Sequence, residues 1–328
     1  MIGTMNVTVL AGGHGGAKFV RGLRKQMGDD AWAITVIGNT ADDIVLHGLN
    51  ISPDLDTLMY TLGDGLDEER GWGRNDEAFR TNEELVAYGL PGTWFGLGDR
   101  DLATHLIRTQ MLTSGYTLTD VTQALCVRWQ PGVTILPMSD ERIETHVVIN
   151  DGAGRRAIHF QEWWIRHGAE LVAEEFLQIG AEAATPGPNV TNAITDADVV
   201  IVAPSNPVVS VNAILSVPGI KEALQATRAP VIGVSPIIAG RAVRGMAEQC
   251  LASIGVDGTA LAVALHYGSR SADGLLDGWL VDTADAHSVP ELEAAGIAAA
   301  AVPLFMNDVG TATEIAGAAL SLATSSRP

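Results

Sequence analysis

Basic side chains are scarce in this sequence: 20 Lys and Arg stand against 39 Asp and Glu, for a formal charge of −19. Such a field repels DNA, RNA and anionic lipid at long range, so nucleic acid is not an expected partner. Cysteine is scarcer still. Cys126 and Cys250 lie far apart at no metal-ligand or redox spacing, which excludes a disulfide framework and suits a reducing, cytoplasmic setting. No apolar run approaches the roughly 20 residues that cross a bilayer, so no membrane span is expected. The first residues lack the basic stretch, apolar run and small-residue cleavage site of an export signal.

What is present is apolar residue, 47% of 328, enough for a substantial core in one large α/β domain or two modest ones. Four short runs, "NVTVLAGG", "AWAITVIGN", "ADVVIVAPSNP" and "APVIGVSP", are rich in β-branched residues and end in small or polar ones. Helix-like stretches follow several of them, the pattern of a doubly wound, mainly parallel sheet. Two runs sit at each end of the chain, so residues 61–189, richer in Trp, Arg and His, read as an α-rich lobe inserted in a core of about 5–60 and 190–328. The loop-like "GAEAATPGPNV" marks the return to the core near Thr185 to Asn189, and the alanine-rich end reads as a short strand and a closing helix.

The first strand runs into "GGHGGAKF", and open α/β sheets gather ligands there, where helix N-termini offer unpaired N–H groups to anions. Gly12, Gly13, Gly15 and Gly16 would let backbone come close to a phosphate, and Lys18 adds a positive charge; a tight turn with a solvated lysine is the plainer alternative. The dinucleotide fingerprint fits poorly. Its third glycine position is Lys18, and the second strand ends in Gly38 and Asn39 where a ribose-binding carboxylate is expected. The ATPase-type phosphate loop fits no better, because Ala17 precedes Lys18 and Phe19 follows it.

An acidic protein also repels a small anionic substrate, so a phosphate site must be built from backbone N–H groups, placed cations or a divalent metal. Asp42, Asp43, Asp54 and Asp56 follow the second strand within fifteen residues. In an extended segment Asp54 and Asp56 would point the same way, a grip for Mg²⁺, although Asp42 and Asp54 could equally cap helices. Further on, "GLGDRDLATHLIR" places His105 and Arg108 at helical spacing from Asp101, with Asp99 or Asp101 as possible caps. "RGWGRNDEAF" and "HFQEWWIRHG" offer aromatic and basic groups to a flat heterocycle, though such aromatics are often core. Ser205 and Asn206 in "APSNPVVSVNAIL", and Arg241 and Arg244 in "SPIIAGRAVRGMA", are candidate phosphate partners.

In order along nearly the whole chain, "GGHGGAKF", "PDLDT", "GLGDRDLATHLIR", "LPMSDERIETHV", "HFQEWW", "APSNPVVSVNAIL", "SPIIAGRAVRGMA" and "GLLDGWLVD" resemble the 2-phospho-L-lactate transferase family (CofD, or FbiA in actinobacteria) of coenzyme F-420 biosynthesis. The resemblance implies a Rossmann-like core with an inserted lobe in a homodimer. It also implies transfer of a GDP-activated three-carbon acid to the ribityl hydroxyl of the deazaflavin Fo, with release of GMP. By the same resemblance Gly12, Gly13, Gly15, Lys18, Ser205, Asn206 and Arg241 would meet the nucleotide, and Asp43 and Asp56 would hold Mg²⁺. Asp56, Thr57, Gly98, Asp99, Arg100 and His105 would line the Fo pocket, and Lys18 and Asp56 would serve the chemistry as charge neutraliser and proton acceptor. "ERGWG", "RWQPG" and "FQEWW" look like the FbiA branch, which favours phosphoenolpyruvate as the acid, whereas "NTADD" is nearer the archaeal style. The competing readings are an NAD-dependent Rossmann oxidoreductase, opposed by Lys18 and Asn39, and a nucleotide-sensing protein without catalysis.

Overall fold

The computed structural model describes residues 5–152 and 154–326. The run VTVLA forms β1 (Val7–Ala11), every residue of which is buried, as a strand covered on both faces requires. The glycine turn opens α1 (Gly13–Met27), and the chain returns through a short 3-10 turn to β2 (Ile34–Gly38), parallel to β1. A small hairpin of β3 (Ile44–Leu46) and β4 (Leu49–Ile51) then delivers the chain to α2 (Pro53–Leu62). Pro53 occupies its first turn, where a missing N–H costs nothing.

Residues 61–189 contribute α3 (Arg80–Ala87), α4 (Asp101–Thr113) and α5 (Leu118–Trp129), the last begun by a reciprocal Thr117–Asp120 capping box. They also contribute β5 (Thr134–Pro137), which pairs with β2 at the edge of the main sheet. An antiparallel sheet of β6 (Glu144–Asn150), β7 (Arg155–His159) and β8 (Ala173–Ile179) follows, with β6 in the middle. The remaining strands are β9 (Val199–Val202), β10 (Val231–Val234), the two-residue pair β11 (Ile237–Ile238) and β12 (Arg241–Ala242), then β13 (Gly278–Val281) and β14 (Ala298–Ala301). A closing helix, Val309–Ser325, packs against α1.

The main sheet has seven strands in the order β14-β13-β10-β9-β1-β2-β5, all parallel, which is the doubly wound α/β architecture. Alternation along the strands divides the core. Val7, Val9, Ile34 and Val36 face the side covered by α1 and the closing helix, while Leu10, Ile37 and Leu136 face the side packed against Trp163, Phe160 and Ile214. From β1 the chain winds outward to β2 and β5, then crosses back to β9 on the other flank of β1. The crevice beyond the carboxyl ends of β1 and β9 is therefore the topological switch point, the place where such sheets bind ligands.

Candidate active site

A cavity of about 380 Å³ opens at that switch point. Its floor is the glycine turn after β1 and the loop Pro204–Asn206 after β9; its walls come from α2, α4, the 71–73 and 95–96 loops, Phe160–Ile165 and the 243–247 loop. Gly13 begins α1 with φ of +63°, a conformation that side chains other than glycine's rarely adopt, and a Cβ at Gly12 would collide with the Asp54 carboxylate. A Cβ at Gly15 would stand 2.7 Å from the carbonyl oxygen of Pro204. The glycines thus let the turn lie against the protein's own carboxylate and the β9 loop. The N-cap residue Gly12 has no side chain to cap α1; the Asp54 carboxylate accepts from the Gly13 N–H instead, and Gly13, His14 and Gly15 of the first turn line the cavity.

Ser205 and Asn206 spend their side chains holding this floor together. The Ser205 hydroxyl accepts from the Gly12 N–H at 3.0 Å and donates to the Gly12 carbonyl at 2.8 Å. The Asn206 side-chain oxygen accepts from the N–H groups of Val208 and Val209, and its amide donates to the Cys250 sulfur. These two residues shape the floor of the cavity and tie the β1 turn to the β9 loop. Lys18, one helical turn beyond His14, lines the cavity. His14 lines it too, and both of its ring nitrogens lack a hydrogen-bond partner. Burial, reinforced by the positive charge of Lys18 and Arg244, pushes its pKa down to about 4, so the ring is neutral near pH 7.

The carboxylates do not lie in an extended segment. Asp54 and Asp56 fall in the first turn of α2, where residues two apart point to different sides of the helix. The pattern of alternating acids reads as a strand only because the Pro53 helix start is overlooked. Asp54 turns to the glycine floor: Asn39 donates to it at 2.9 Å and the Gly13 N–H also reaches it. Burial nonetheless raises its pKa to about 6. Asp42, a wall residue of the same cavity, is raised well above the ordinary carboxylate range, first by burial and then by the charge of Asp54. Asp43 is absent from the lining of this cavity: its Oδ2 accepts from the Ser52 hydroxyl at 2.6 Å, its Oδ1 is buried without a hydrogen-bond partner, and it lines a separate cavity of about 190 Å³.

Asp56 turns the other way, into a buried polar cluster between α2 and α4. Arg108, 2% exposed, donates to its Oδ1, and Oδ2 is buried without a hydrogen-bond partner. Burial raises the Asp56 carboxyl, while the Arg108 guanidinium, then His105, pulls it back. Arg108 also approaches His105 Nδ1 at 3.2 Å, and an arginine can only donate, so His105 carries its proton on Nε2. Nε2 stands 3.4 Å from Asp101 Oδ2 without forming a satisfied hydrogen bond, and Asp101 Oδ1 accepts from the Tyr60 hydroxyl. Burial pushes Asp101 up, but the nearby His105 ring and the Tyr60 hydroxyl outweigh it and hold the carboxyl below its ordinary range. With His105 Nδ1 occupied by Arg108, the group in this cluster with a lone pair free to take a proton is Asp56, through Oδ2.

Of the site residues expected from sequence, Gly12, Gly13, Gly15, Lys18, Asp56, Thr57, His105, Ser205 and Asn206 line this one cavity. Others stand elsewhere. Gly98 packs against Glu77, and the Asp99 carboxylate accepts from the Thr81 N–H at the start of α3. Arg100 is half-exposed beside Asp76, and Arg241 lies exposed on β12. Phe95 and Gly96 line the wall in place of Gly98 to Arg100, and Arg244 in place of Arg241. Tyr60 escaped the sequence reading, yet it stands four residues after Asp56, the spacing that puts two side chains on one helix face.

Among the described residues no three His, Cys, Asp or Glu side chains gather as a metal-binding group, and no helix is long and apolar enough to cross a membrane. The model of the family described as 2-phospho-L-lactate transferase CofD matches residues 7–304. The chain is 59% identical over 319 residues to a phosphoenolpyruvate transferase of Kitasatospora aureofaciens, covering 97% of this chain and 98% of that protein. It is 56% identical over 325 residues to a phosphoenolpyruvate transferase of Thermobifida fusca (strain YX), with 97% and 98% covered. A crystal structure of a UPF0052 family protein from Bacillus halodurans shares the fold at a TM-score of 0.63 and 19% identity, covering 98% of this chain and 100% of that one.

Proposed function

The chain belongs to the CofD family of 2-phospho-L-lactate transferases and is a transferase, and on that premise we propose that it moves an enolpyruvyl phosphate group from its GDP-activated form to the ribityl hydroxyl of Fo, in coenzyme F-420 biosynthesis. The primary alcohol attacks the phosphorus that bears the three-carbon acid. A new O–P bond forms, the bond to the bridging oxygen of the diphosphate breaks, and GMP leaves with that oxygen. Asp56 Oδ2 takes the hydroxyl proton; its raised pKa brings it closer to the working pH, as a general base requires. Lys18 and the glycine turn at the head of α1 receive the diphosphate. Phe95, Trp72, Trp164 and Met306 give the cavity apolar wall of the kind a flat deazaflavin needs.

Asp42 and Asp54 fit a hard divalent cation: both are buried in the cavity wall, and Asp42 has an unpartnered oxygen. They would hold Mg²⁺ in place of Asp43, leaving its other positions to substrate phosphate and water. When bound, the ion would neutralise the diphosphate beside the Asp54 carboxylate.

The observation that carries this reading is that Asp56, which has a buried carboxylate oxygen without a partner, and the glycine turn at the head of α1 belong to the lining of the same cavity. The printed names of the relatives favour enolpyruvate over lactate as the acid. Mass spectrometry of products from Fo with the enolpyruvyl, lactyl and glyceryl diphosphoguanosine donors tests the choice. Preferred turnover of the lactyl donor would overturn it.

A further inference from the structure

Two loops from distant parts of the sequence meet at the mouth of the cavity. Arg244, on the loop after β12, donates a hydrogen bond to the carbonyl oxygen of Arg70, and its guanidinium lies against Gly71. The contact exists because residue 71 lacks a side chain: a Cβ there would collide with three atoms of the guanidinium. Gly71, Trp72 and Gly73 line the cavity from one side, Val243 to Ala247 from the other.

The guanidinium is poorly provided for in this position. One carbonyl bond uses a small part of its five N–H donors. The ion pairs among the described residues leave it without a carboxylate, in a protein with 39 acids, whereas the neighbouring Arg70 has Asp67 at 2.9 Å and the rings of Trp72 and Phe79 beneath it. Arg244 shares the cavity with Lys18 and with His14 at the head of α1. An arginine fork without an anion, in the same cavity as Lys18, suits a phosphate better than a carbonyl. Glycines at 71, 73, 240 and 245, each at positive φ, set the tight turns that bring the two loops together.

We propose that Arg244 is a two-position phosphate-binding residue: it rests on the Arg70 carbonyl until the nucleotide diphosphate enters, then turns inward to a phosphate oxygen and draws the 243–247 loop over the donor. This inference rests on the nucleotide reading above. GDP serves as the probe, by calorimetry and by hydrogen exchange of residues 243–247. Arg244→Gln should weaken GDP binding about tenfold or more, as loss of a charge-assisted bond does. Arg244→Lys, which keeps the charge and loses the planar fork, should recover part of that loss. In wild type, GDP should slow exchange at 243–247 as that loop closes over the donor. Unchanged GDP binding by Arg244→Gln, or equal losses in the two variants, would overturn the proposal. GDP binding that follows the predicted pattern in a protein that transfers nothing to Fo would count against the transferase reading and leave the Arg244 switch standing.

Discussion

Replacing Arg108 by Met should unfold this protein more easily by an amount that the site geometry sets. Arg108 and Asp56 are 2% and 5% exposed, and the guanidinium is the cation donating to Asp56. Its removal leaves a buried carboxylate unpaired, which costs about 3–5 kcal/mol. Over 328 residues, at about 2.1 cal/mol/K per residue, that lowers the thermal midpoint by roughly 4–7 °C. The sign with pH follows. Without Arg108 the folded pKa of Asp56 rises further above its unfolded value, so the penalty is full at high pH and fades as falling pH protonates the carboxyl. Scanning calorimetry at pH 8 and pH 5.5 should show the larger deficit at pH 8. The double variant with Asp56→Asn should recover part of the loss, because no charge is left stranded. A midpoint within a degree of wild type at pH 8, or a double variant no better than the single one, would refute the reasoning.

Asp56→Asn alone should reduce kcat by about 10²–10⁴-fold with little change in donor KM, in steady-state assays of GMP release. Asp54, raised to about 6 by burial, carries an ionisation penalty absent below about pH 4 and complete above pH 6. Asp54→Asn should therefore gain stability over wild type as pH rises through that window, and urea melts at pH 3.8 and 7.5 would show it. The same variant should lose the rise in melting temperature that Mg²⁺ gives wild type; an equal rise in both would remove Asp54 from the metal site. Gly15→Ala, whose Cβ would stand 2.7 Å from the Pro204 carbonyl oxygen, should cost about 1–3 kcal/mol in denaturant unfolding.

The parallel sheet was legible because its strands announce themselves: β1, β2, β9 and β10 lie within the four apolar runs, and the alanine-rich end supplies β14 and the closing helix. Register and order were not, since nothing in "TILP" says that β5 joins the edge beside β2. At the site, residue types were readable and directions were not. Asp54 and Asp56 serve different clusters because a helix begins at Pro53, and Ser205 and Asn206 bind backbone because the β9 loop must be fastened to the glycine turn. Asp42 and Asp43 are neighbours in sequence, and only the folded turn shows which one faces the cavity.

The central claim is that one cavity at the β1/β9 switch point brings an activated diphosphate and an alcohol together beside Asp56. Its most direct test is to supply the enolpyruvyl diphosphoguanosine donor, Fo and Mg²⁺ and to follow both products by mass spectrometry. The account predicts GMP and the Fo phosphodiester in equal amounts from wild type, and neither at a comparable rate from Asp56→Asn. GMP released at the same rate without Fo, or full turnover by Asp56→Asn, would contradict it.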